Sequence, residues 1–271
     1  MRHYIGSPPF QWQGEVNRES QQLNSLLLWF PLMNHNTNDR LTNLLGVKGG
    51  AVSFAANDQT GGSWNFTGTA GDYISLGDTP LVDFGATDWG ISVWALTTTV
   101  SGGGKIFAKD GTGGTNPRQF ILQRNAASLG FYYWTAPGSY VYYDPGTTWL
   151  TANRWHHIVM QRVGNTFQFA VDGLVKVTNA GTGTHGAMNA GTIAAQIGAR
   201  VYVGLNDPWS GKLADFRIHK RALSAGEIWR LYDPQTRWEL YATPEYRRWF
   251  VPVVAGTSIP VFQHSYRQRR A

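Results

Sequence analysis

The stretch NRWHHIVMQRVGNTFQFAVDG (Asn153–Gly173) has the pattern of two β-strands joined by a tight turn. Two β-rich runs flank a Gly-Asn dipeptide, a residue pair that suits a tight turn between antiparallel strands. In the second run Phe167, Phe169 and Val171 occupy every other position, so their side chains share one face of a strand. The residues between them are smaller or polar and face the other way. The stretch therefore predicts a β-hairpin with one buried face.

Short β-rich runs of the same kind continue along the chain from Leu26 onward. Examples are DYISLG (Asp72–Gly77), WGISVWALTT (Trp89–Thr98) and KLADFRIHK (Lys212–Lys220). Most are bounded by Gly, Asn, Asp or Pro, which are turn residues. Many short strands separated by turn signals are typical of an all-β, two-sheet antiparallel sandwich or jelly roll.

One segment near the C-terminus carries a helix signal instead. In SAGEIWRLYD (Ser224–Asp233), Ser224 is followed three residues later by Glu227, which is a capping box. Leu223, just before the cap, is placed to pack against Ile228 as a hydrophobic staple. Pro234 ends the segment, so we predict one short C-terminal helix.

Several of these segments, in this order, resemble the laminin G-like, concanavalin A-like jelly-roll family. The motifs are LLLWFPLM (Leu26–Met33), FTGTAGDYISLG (Phe66–Gly77), DFGATDWGISVWAL (Asp83–Leu96), the opening hairpin, and VYVGLNDPWSGKLADFRIHKRALSAGEIWRLYD (Val201–Asp233). The resemblance implies two stacked antiparallel sheets. It also implies a binding module more often than an enzyme, since the family includes lectins, adhesion modules and some glycoside hydrolases. Because the fold hosts both classes, function has to be argued from particular residues.

The chain divides into a central domain and two terminal segments. We predict an N-terminal arm over residues 1–22, a jelly-roll domain over 23–234, and a basic aromatic tail over 235–271. The net charge of +6 comes from the part after residue 216, whereas the rest of the chain is neutral. This uneven distribution argues against nucleic acid as a partner. The opening residues show no signal-peptide pattern, and the apolar run Ser25–Met33 is too short to span a bilayer.

The residues that hydrolysis would need are missing from the predicted strands. A glycosidase requires two converging carboxylates, but the five glutamates lie outside these strands, at Glu15, Glu19, Glu227, Glu239 and Glu245. The chain has no cysteine and no G-x-S-x-G motif. For the pair His156-His157 we expect one ring packed on the strand face and the other in solvent. The sequence therefore predicts a protein that is not an enzyme.

Calcium is the one cofactor to consider, since many members of the resembled family hold a structural Ca²⁺. Oxygen donors would come from Asp39, Asp72 and Asp215, together with Asn34. Where the family has a pair of acids near its last strand, this chain has Ala214 before Asp215, which lowers the number of carboxylates. Asp39 and Asp72 are also ordinary turn residues. We favour that interpretation and leave calcium as the alternative.

The segment GFYYWTAPGSYVYYDPGTTW (Gly130–Trp149) is dense in aromatic residues. Strand alternation places Phe131 and Tyr133 on one face and Tyr132 and Trp134 on the other, so about half of the set is predicted to fill the core. The candidates for stacking on sugar rings are Tyr132, Trp134, Tyr140, Tyr142 and Trp149. Because Tyr and Trp also favour protein interfaces, a protein contact is the competing interpretation.

Both terminal segments carry aromatic residues, and the tail interleaves them with arginine. The residues predicted to dock on neighbouring subunits are Phe10, Trp12, Trp238, Arg247, Arg248, Trp249 and Phe250. From these arms and the lectin-like domain we hypothesise a virion structural or decoration protein, expected from a tailed phage. Its partners would be other virion proteins, copies of itself and host-surface glycans. The alternative is a bacterial carbohydrate-binding adhesion module, extracellular or at the cell surface.

Overall fold

The computed structural model describes residues 16–32, 37–55, 60–111, 118–201 and 207–241, and the backbone of two further short strands. One sheet, the first sheet, contains β1 (Leu26–Phe30), β3 (Ser53–Ala55), β4 (Ser63–Thr67), β6 (Trp89–Thr97), β11 (Trp155–Val163), β12 (Thr166–Val171), β13 (Leu174–Asn179) and β15 (Ser210–His219). The second sheet contains β2 (Val47–Gly49), β5 (Tyr73–Gly77), β7 (Gly103–Lys109), β8 (Phe120–Asn125), β9 (Ser128–Ala136), β10 (Ser139–Tyr143) and β14 (Ala195–Ile197).

Both sheets are antiparallel throughout the pairs described, which confirms the predicted sandwich. The first sheet has the order β13-β12-β11-β6-β15-β4-β3, with β1 also paired to β15, and the second has the order β10-β9-β8-β7-β14-β5-β2. Two 3₁₀ turns, Gln21–Leu23 and Pro80–Val82, lie outside the sheets. The strands β16 (Tyr246–Arg248) and β17 (Ser265–Arg267) pair only with each other. None of the described helices is long and apolar enough to cross a membrane.

The hairpin predicted from the opening stretch is β11–β12, with Ile158 opposite Val171 at its open end. Gly164 occupies the turn at φ +57°, in the left-handed region that glycine adopts without a steric cost. At the next turn Gly173 is also left-handed, and a Cβ there would come within 3 Å of Trp229 and Tyr232. The second glycine is therefore required by close packing as well as by backbone conformation.

The core lies between the two sheets and is built from the alternate residues of their strands. The predicted inward set, Phe167, Phe169 and Val171, is buried there together with Phe131 and Tyr133. The ring centroids of Phe131 and Phe167, which belong to different sheets, are 5.4 Å apart in an edge-to-face arrangement. Aromatic side chains from the two sheets therefore meet in the core.

The predicted helix is α1 (Ala225–Tyr232), and it covers the outer face of the first sheet. The capping box is complete, because the Ser224 side chain accepts from the Glu227 amide and Glu227 accepts from the Ser224 amide. A hydrogen bond from Arg221 is the main cause that lowers the pKa of Glu227, to about 2. Leu223 and Ile228 are buried in one apolar cluster on this face, as the staple predicts.

The packed unit is longer at both ends than the predicted jelly-roll domain. Val16 forms a β-bridge with Tyr241, and Tyr241 packs edge-to-face on Trp29 with a centroid distance of 5.0 Å. Trp238, predicted to dock on a neighbour, contacts Tyr241 of its own chain at 5.1 Å. The parts of the two predicted terminal segments that are described, residues 16–22 and 235–241, therefore pack on the sandwich. The other predicted docking residues, Phe10, Trp12, Arg247, Arg248, Trp249 and Phe250, have side chains outside the described part of the chain.

A layer of buried polar side chains separates the first sheet from this terminal segment. Arg217 donates to both carboxylate oxygens of Asp215, at 2.9 and 2.7 Å, and to the side-chain oxygen of Gln22 at 2.6 Å. Trp29 Nε1 also donates to Asp215, at 2.8 Å. Since Asp215 and Arg217 are paired with each other and hydrogen-bonded to Trp29 and Gln22, the layer offsets the cost of burying this ion pair.

Candidate functional site

Four aromatic residues gather on the outer face of the second sheet, and we call them the aromatic cluster. They are Tyr132 and Trp134 on β9, and Tyr140 and Tyr142 on the neighbouring strand β10. The register places Tyr132 opposite Tyr142 and Trp134 opposite Tyr140. Four of the five predicted sugar-stacking residues are therefore brought together by one hairpin.

The rings of the cluster pack against one another, so each ring face is largely covered by a neighbour. Tyr132 and Tyr142 stack with centroids 3.9 Å apart and planes 20° apart. Trp134 has Tyr140 of β10 on one side, at 5.9 Å, and the Arg118 guanidinium, which precedes β8, over its ring at 4.1 Å. Trp134 is consequently only 6% exposed, whereas Tyr140 is 49% exposed. Tyr140 thus presents the most accessible ring of the cluster.

A set of ion pairs adjoins the Trp134 end of the cluster, and we call it the charged network. Arg118 donates to both oxygens of the fully buried Asp110, at 2.6 and 3.2 Å. Arg200 lies 3.4 Å from Asp110 and 3.5 Å from Asp207, and Lys105 lies 3.1 Å from Asp207. Since Asp110 has charged partners on two sides, it fixes Arg118 over Trp134.

Asp144 lies at the Tyr142 end of the cluster. It accepts hydrogen bonds from Ser128 at 2.6 Å, from Asn125 at 2.7 Å, from the Gly146 amide at 2.8 Å and from the Tyr142 hydroxyl at 3.2 Å. Burial would raise the pKa of Asp144, but these hydrogen bonds outweigh burial and lower it. The cluster therefore runs from a carboxylate at one end to a guanidinium at the other.

Trp149 does not join the aromatic cluster. Its ring lies 5.9 Å from Phe169 and packs against the core between the sheets. The reason is that the chain leaves β10 after Tyr143 and runs without regular structure to Trp149, so strand alternation no longer determines its side. Trp149 is consequently a packing residue in this structure.

The predicted calcium donors are not brought together. Asp39 accepts from the Trp29 amide and from amides of its own loop, and Asp72 accepts from the Ala51 amide and from the amide and hydroxyl of Thr67. Asp215 belongs to the buried ion pair with an arginine, and Asn34 lies outside the described residues. No group of three or more His, Cys, Asp or Glu within the described ranges is placed to hold a metal.

The two adjacent histidines differ from the expectation, because both are buried. His156 Nδ1 lies 3.0 Å from Asp172 Oδ2, and His156 Nε2 accepts from the Thr151 amide at 3.1 Å. His157 Nε2 lies 2.9 Å from the Ser92 hydroxyl, beneath the ring of Tyr232. Burial lowers the pKa of His157 to about 3. The side expected to face solvent is covered by the C-terminal helix, so this Ser–His pair is closed to substrate.

Two pairs of aspartates lie close together, although no sequence pattern predicted either pair. Asp78 and Asp83 both contact Nζ of the buried Lys109, at 3.1 and 2.6 Å, and the two aspartates of the charged network share an arginine. In each pair a cation occupies the space between the carboxylates, where a glycosidic bond would have to lie. Neither pair therefore has the arrangement of a glycosidase.

Sequence reasoning missed the polar residues that flank the aromatic cluster. Arg118 and Asp110 are eight residues apart, and the hairpin of β7 and β8 brings them together. The available signal was the position of each residue directly beside a predicted strand. Asp144 could have been found because it directly follows the second tyrosine run.

Solved structures with the same fold include binding domains of several toxins and one domain of an arabinanase. The binding domain of Paraclostridial Mosquitocidal Protein 1 is 13% identical with a TM-score of 0.63, and the match covers 78% of this chain and 52% of that chain. The receptor binding domain of botulinum neurotoxin D is 14% identical, with a TM-score of 0.61, covering 79% and 54%. The chain thus spans about half the length of these toxin domains.

A third structure is matched over nearly its whole length. Domain 4 of AbnA, a GH43 extracellular arabinanase from Geobacillus stearothermophilus in complex with arabinotriose, is 18% identical with a TM-score of 0.56, covering 77% of this chain and 98% of that chain. No curated protein matches the sequence. The family model for the concanavalin A-like lectin/glucanases superfamily matches residues 66–229. The chain therefore belongs to the concanavalin A-like lectin/glucanases superfamily.

Proposed function

We propose that this protein binds carbohydrate through the aromatic cluster on the outer face of its second sheet. The observation that carries the proposal is Tyr140, an aromatic residue that is 49% exposed and whose ring packs against the rings of Tyr132 and Trp134. Sugar-binding sites combine an aromatic face with a few fixed polar groups. Here Asp144 and Arg118 provide fixed polar groups at the two ends of the cluster.

The fold neighbours support this proposal without deciding it. One of them is a domain of an arabinanase in complex with arabinotriose. Others are binding domains that belong to toxins, including the receptor binding domain of botulinum neurotoxin D. Because the identities are below 20%, the likeness shows a shared fold alone. The function of this chain has to be argued from its own residues. Those residues offer an aromatic surface but no uncovered pair of carboxylates in the part described, so we propose recognition rather than hydrolysis.

The proposal predicts that Tyr140→Ala weakens glycan binding without unfolding the protein. Binding is measured on a glycan array and then by calorimetry with the best ligand. Removing the exposed ring takes away the stacking surface, so we expect an affinity loss of about tenfold or more. Melting temperature is measured in parallel to exclude loss of the fold.

Trp229→Ala is the matched control, since Trp229 is an aromatic residue 47% exposed on α1, outside the aromatic cluster. We expect glycan affinity to be unchanged in this variant. Equal losses in both variants, or no saturable binding to any glycan by the unmodified protein, would contradict the proposal.

A second function, assembly into a virus particle, is favoured by the β-bridge between Val16 and Tyr241. Because this bridge places Val16 and Tyr241 side by side, the sequence segments 1–15 and 242–271 are attached to the described unit at neighbouring positions, which would suit contact with one adjoining subunit. On this proposal the protein is a virion decoration protein, located in the particle, and the glycan site faces the host. Ultracentrifugation at high concentration tests it. A monomer that keeps the sandwich after proteolysis of both segments would contradict it.

A further inference from the structure

A cavity lies on the outer side of the first sheet, between the 3₁₀ turn Gln21–Leu23 and α1. Residues of the turn, of the helix and of the end of β15 line it, and its volume is about 300 Å³. One water molecule takes up roughly 30 Å³ in the liquid. The cavity therefore has room for a small organic molecule and not only for a bridging water.

The walls of the cavity are held in place by hydrogen bonds. The side chain of Gln22 accepts from Arg217 at 2.6 Å and donates to the Thr236 carbonyl at 2.7 Å. Arg230 of α1 donates to the side-chain oxygen of Gln21. The turn and the helix are thus joined directly, and the space between them is a preformed cavity.

The buried polar group in the wall is His219, which is 1% exposed. It is the last residue of β15 and lies on the same outer face as Arg217. Neither ring nitrogen of His219 has a hydrogen-bond partner among the described residues, whereas His157 on the same sheet is paired with Ser92. Buried polar groups usually have a partner. The imidazole therefore has hydrogen-bonding capacity that a bound molecule can use.

A ligand can reach these nitrogens after a small movement of the ring. Both nitrogens of His219 are buried in the present orientation. A half-turn about the Cβ–Cγ bond exchanges nitrogen and carbon positions between the two edges of the ring and leaves its outline unchanged. The half-turn breaks no hydrogen bond to a described residue, because neither nitrogen makes one. Either edge of the ring can therefore be turned toward the cavity.

The chemistry of the cavity floor favours a neutral ligand. Burial is the main cause that lowers the pKa of His219 to about 3, so near neutral pH the ring is uncharged, with one donor and one acceptor. Leu223 and Leu231 are buried beside it. Both carboxylate oxygens of Glu227 are already used by Arg221 and by the helix cap. A charge placed on this floor would lack a counter-charge, whereas a hydroxyl can pair with the imidazole and an apolar ring can contact the leucines.

We propose that this cavity binds a small neutral molecule with an apolar ring and a hydroxyl group, and that His219 forms the hydrogen bond to that hydroxyl. The cavity and the aromatic cluster lie on different sheets, so this site goes beyond the proposed carbohydrate binding and does not depend on it. Its ligand contacts both the N-terminal turn and α1, so binding raises the stability of the folded chain.

The test uses three probes that each have one ring, namely benzyl alcohol, toluene and benzoate, on the unmodified full-length chain. Calorimetry should show that benzyl alcohol binds about three- to tenfold more tightly than toluene, which corresponds to one hydrogen bond. Benzoate should bind more weakly than either, because its charge is unpaired on the floor. In NMR spectra of the histidine rings, benzyl alcohol should shift the nitrogen signals of His219 and leave those of His157 unchanged.

A variant then assigns the preference to one residue. His219→Phe keeps a flat ring and removes both nitrogens, so benzyl alcohol and toluene should bind with equal affinity. The ligand-free variant should melt no lower than the unmodified protein, because no hydrogen bond to a described residue is lost. His185→Phe is the matched control, since His185 bonds to Tyr133 of the second sheet, and it should keep the preference for benzyl alcohol. The NMR measurement needs no variant, so it does not depend on the folding of either.

Several outcomes would overturn the inference. The first is that no probe binds saturably to the unmodified protein, which is the result expected of a cavity that holds water alone. The others are equal binding of benzyl alcohol and toluene, tighter binding of benzoate, and a preference for benzyl alcohol that survives His219→Phe in a folded protein. None of these results bears on glycan binding, which Tyr140→Ala tests separately.

Discussion

The outer face of the first sheet lies beneath α1 and residues 233–241, whereas on the outer face of the second sheet a tyrosine ring is half exposed. The covered face holds buried charges, of which Asp215 and Arg217 are the central pair. The second face holds a stack of rings with charges at its ends. The difference indicates that one face contributes mainly to stability and the other is available for ligands.

Removing one partner of the buried ion pair should show most clearly that the covered face stabilises the fold. Asp215→Ala removes both hydrogen bonds to the Arg217 side chain and the one from Trp29, and leaves the arginine buried without its countercharge. We expect a loss of about 3–5 kcal/mol in the free energy of unfolding, measured by urea denaturation. Glycan binding of the remaining folded protein should be unchanged, since this pair lies on the covered face.

Arg154→Ala is the control for that prediction. Arg154 lies 4.0 Å from Asp172 on the same sheet, but it is largely exposed, so its pair should contribute only about 0–1 kcal/mol. If the two substitutions lower the free energy of unfolding by the same amount, the buried polar layer is not what stabilises the covered face.

The covered face should also make stability depend on pH. Burial lowers the pKa of His157 and of His219 to about 3 in the folded protein, from an ordinary value near 6.5. Unfolding therefore takes up protons between these values, so stability is full above about pH 6.5 and falls as the pH drops toward 3. Each histidine contributes a slope of about 1.4 kcal/mol per pH unit around pH 5.

Urea denaturation at pH 7.5, 6 and 5 measures this slope. His219→Gln should lower the number of protons taken up on unfolding by one, and should therefore reduce the slope by the contribution of one histidine. Other groups also titrate in this range, so the comparison is between the variant and the unmodified protein. An unchanged slope in the variant would mean that His219 becomes protonated without unfolding, and that the face is less closed than its burial indicates.

The fold could be predicted because its signals are local. Alternation in Phe167 and Phe169 indicates a strand whatever the partner strand is, and the capping box of Ser224 and Glu227 lies within four residues. The burial of His157 could not be predicted, because alternation places it on an outer face and only the later packing of α1 closes that face. The docking of Tyr241 on Trp29 likewise depends on residues far apart in sequence.

The candidate site was predicted in part for the same reason. Alternation separated Tyr132 and Trp134 from Phe131 and Tyr133, and the following tyrosines joined them through a short hairpin. The role of Arg118 depends on the pairing of β7 with β8, whose register no local pattern reveals. Which ring face stays exposed depends on all these neighbours together, so it could be determined only from the structure.

The smallest expected effect concerns the acidic end of the aromatic cluster. Tyr142→Phe removes the hydroxyl that donates to Asp144 at 3.2 Å, while the carboxylate keeps its bonds to Ser128 and Asn125. We expect a loss of about 0.5–1 kcal/mol in the free energy of unfolding, because the site is partly solvated and the carboxylate remains satisfied. Tyr143→Phe on the same strand is the control, since no hydrogen bond of its hydroxyl is found among the described residues. A loss above about 2 kcal/mol for Tyr142→Phe would show that this hydroxyl organises the cluster, and that the second face, like the first, is held by buried polar contacts.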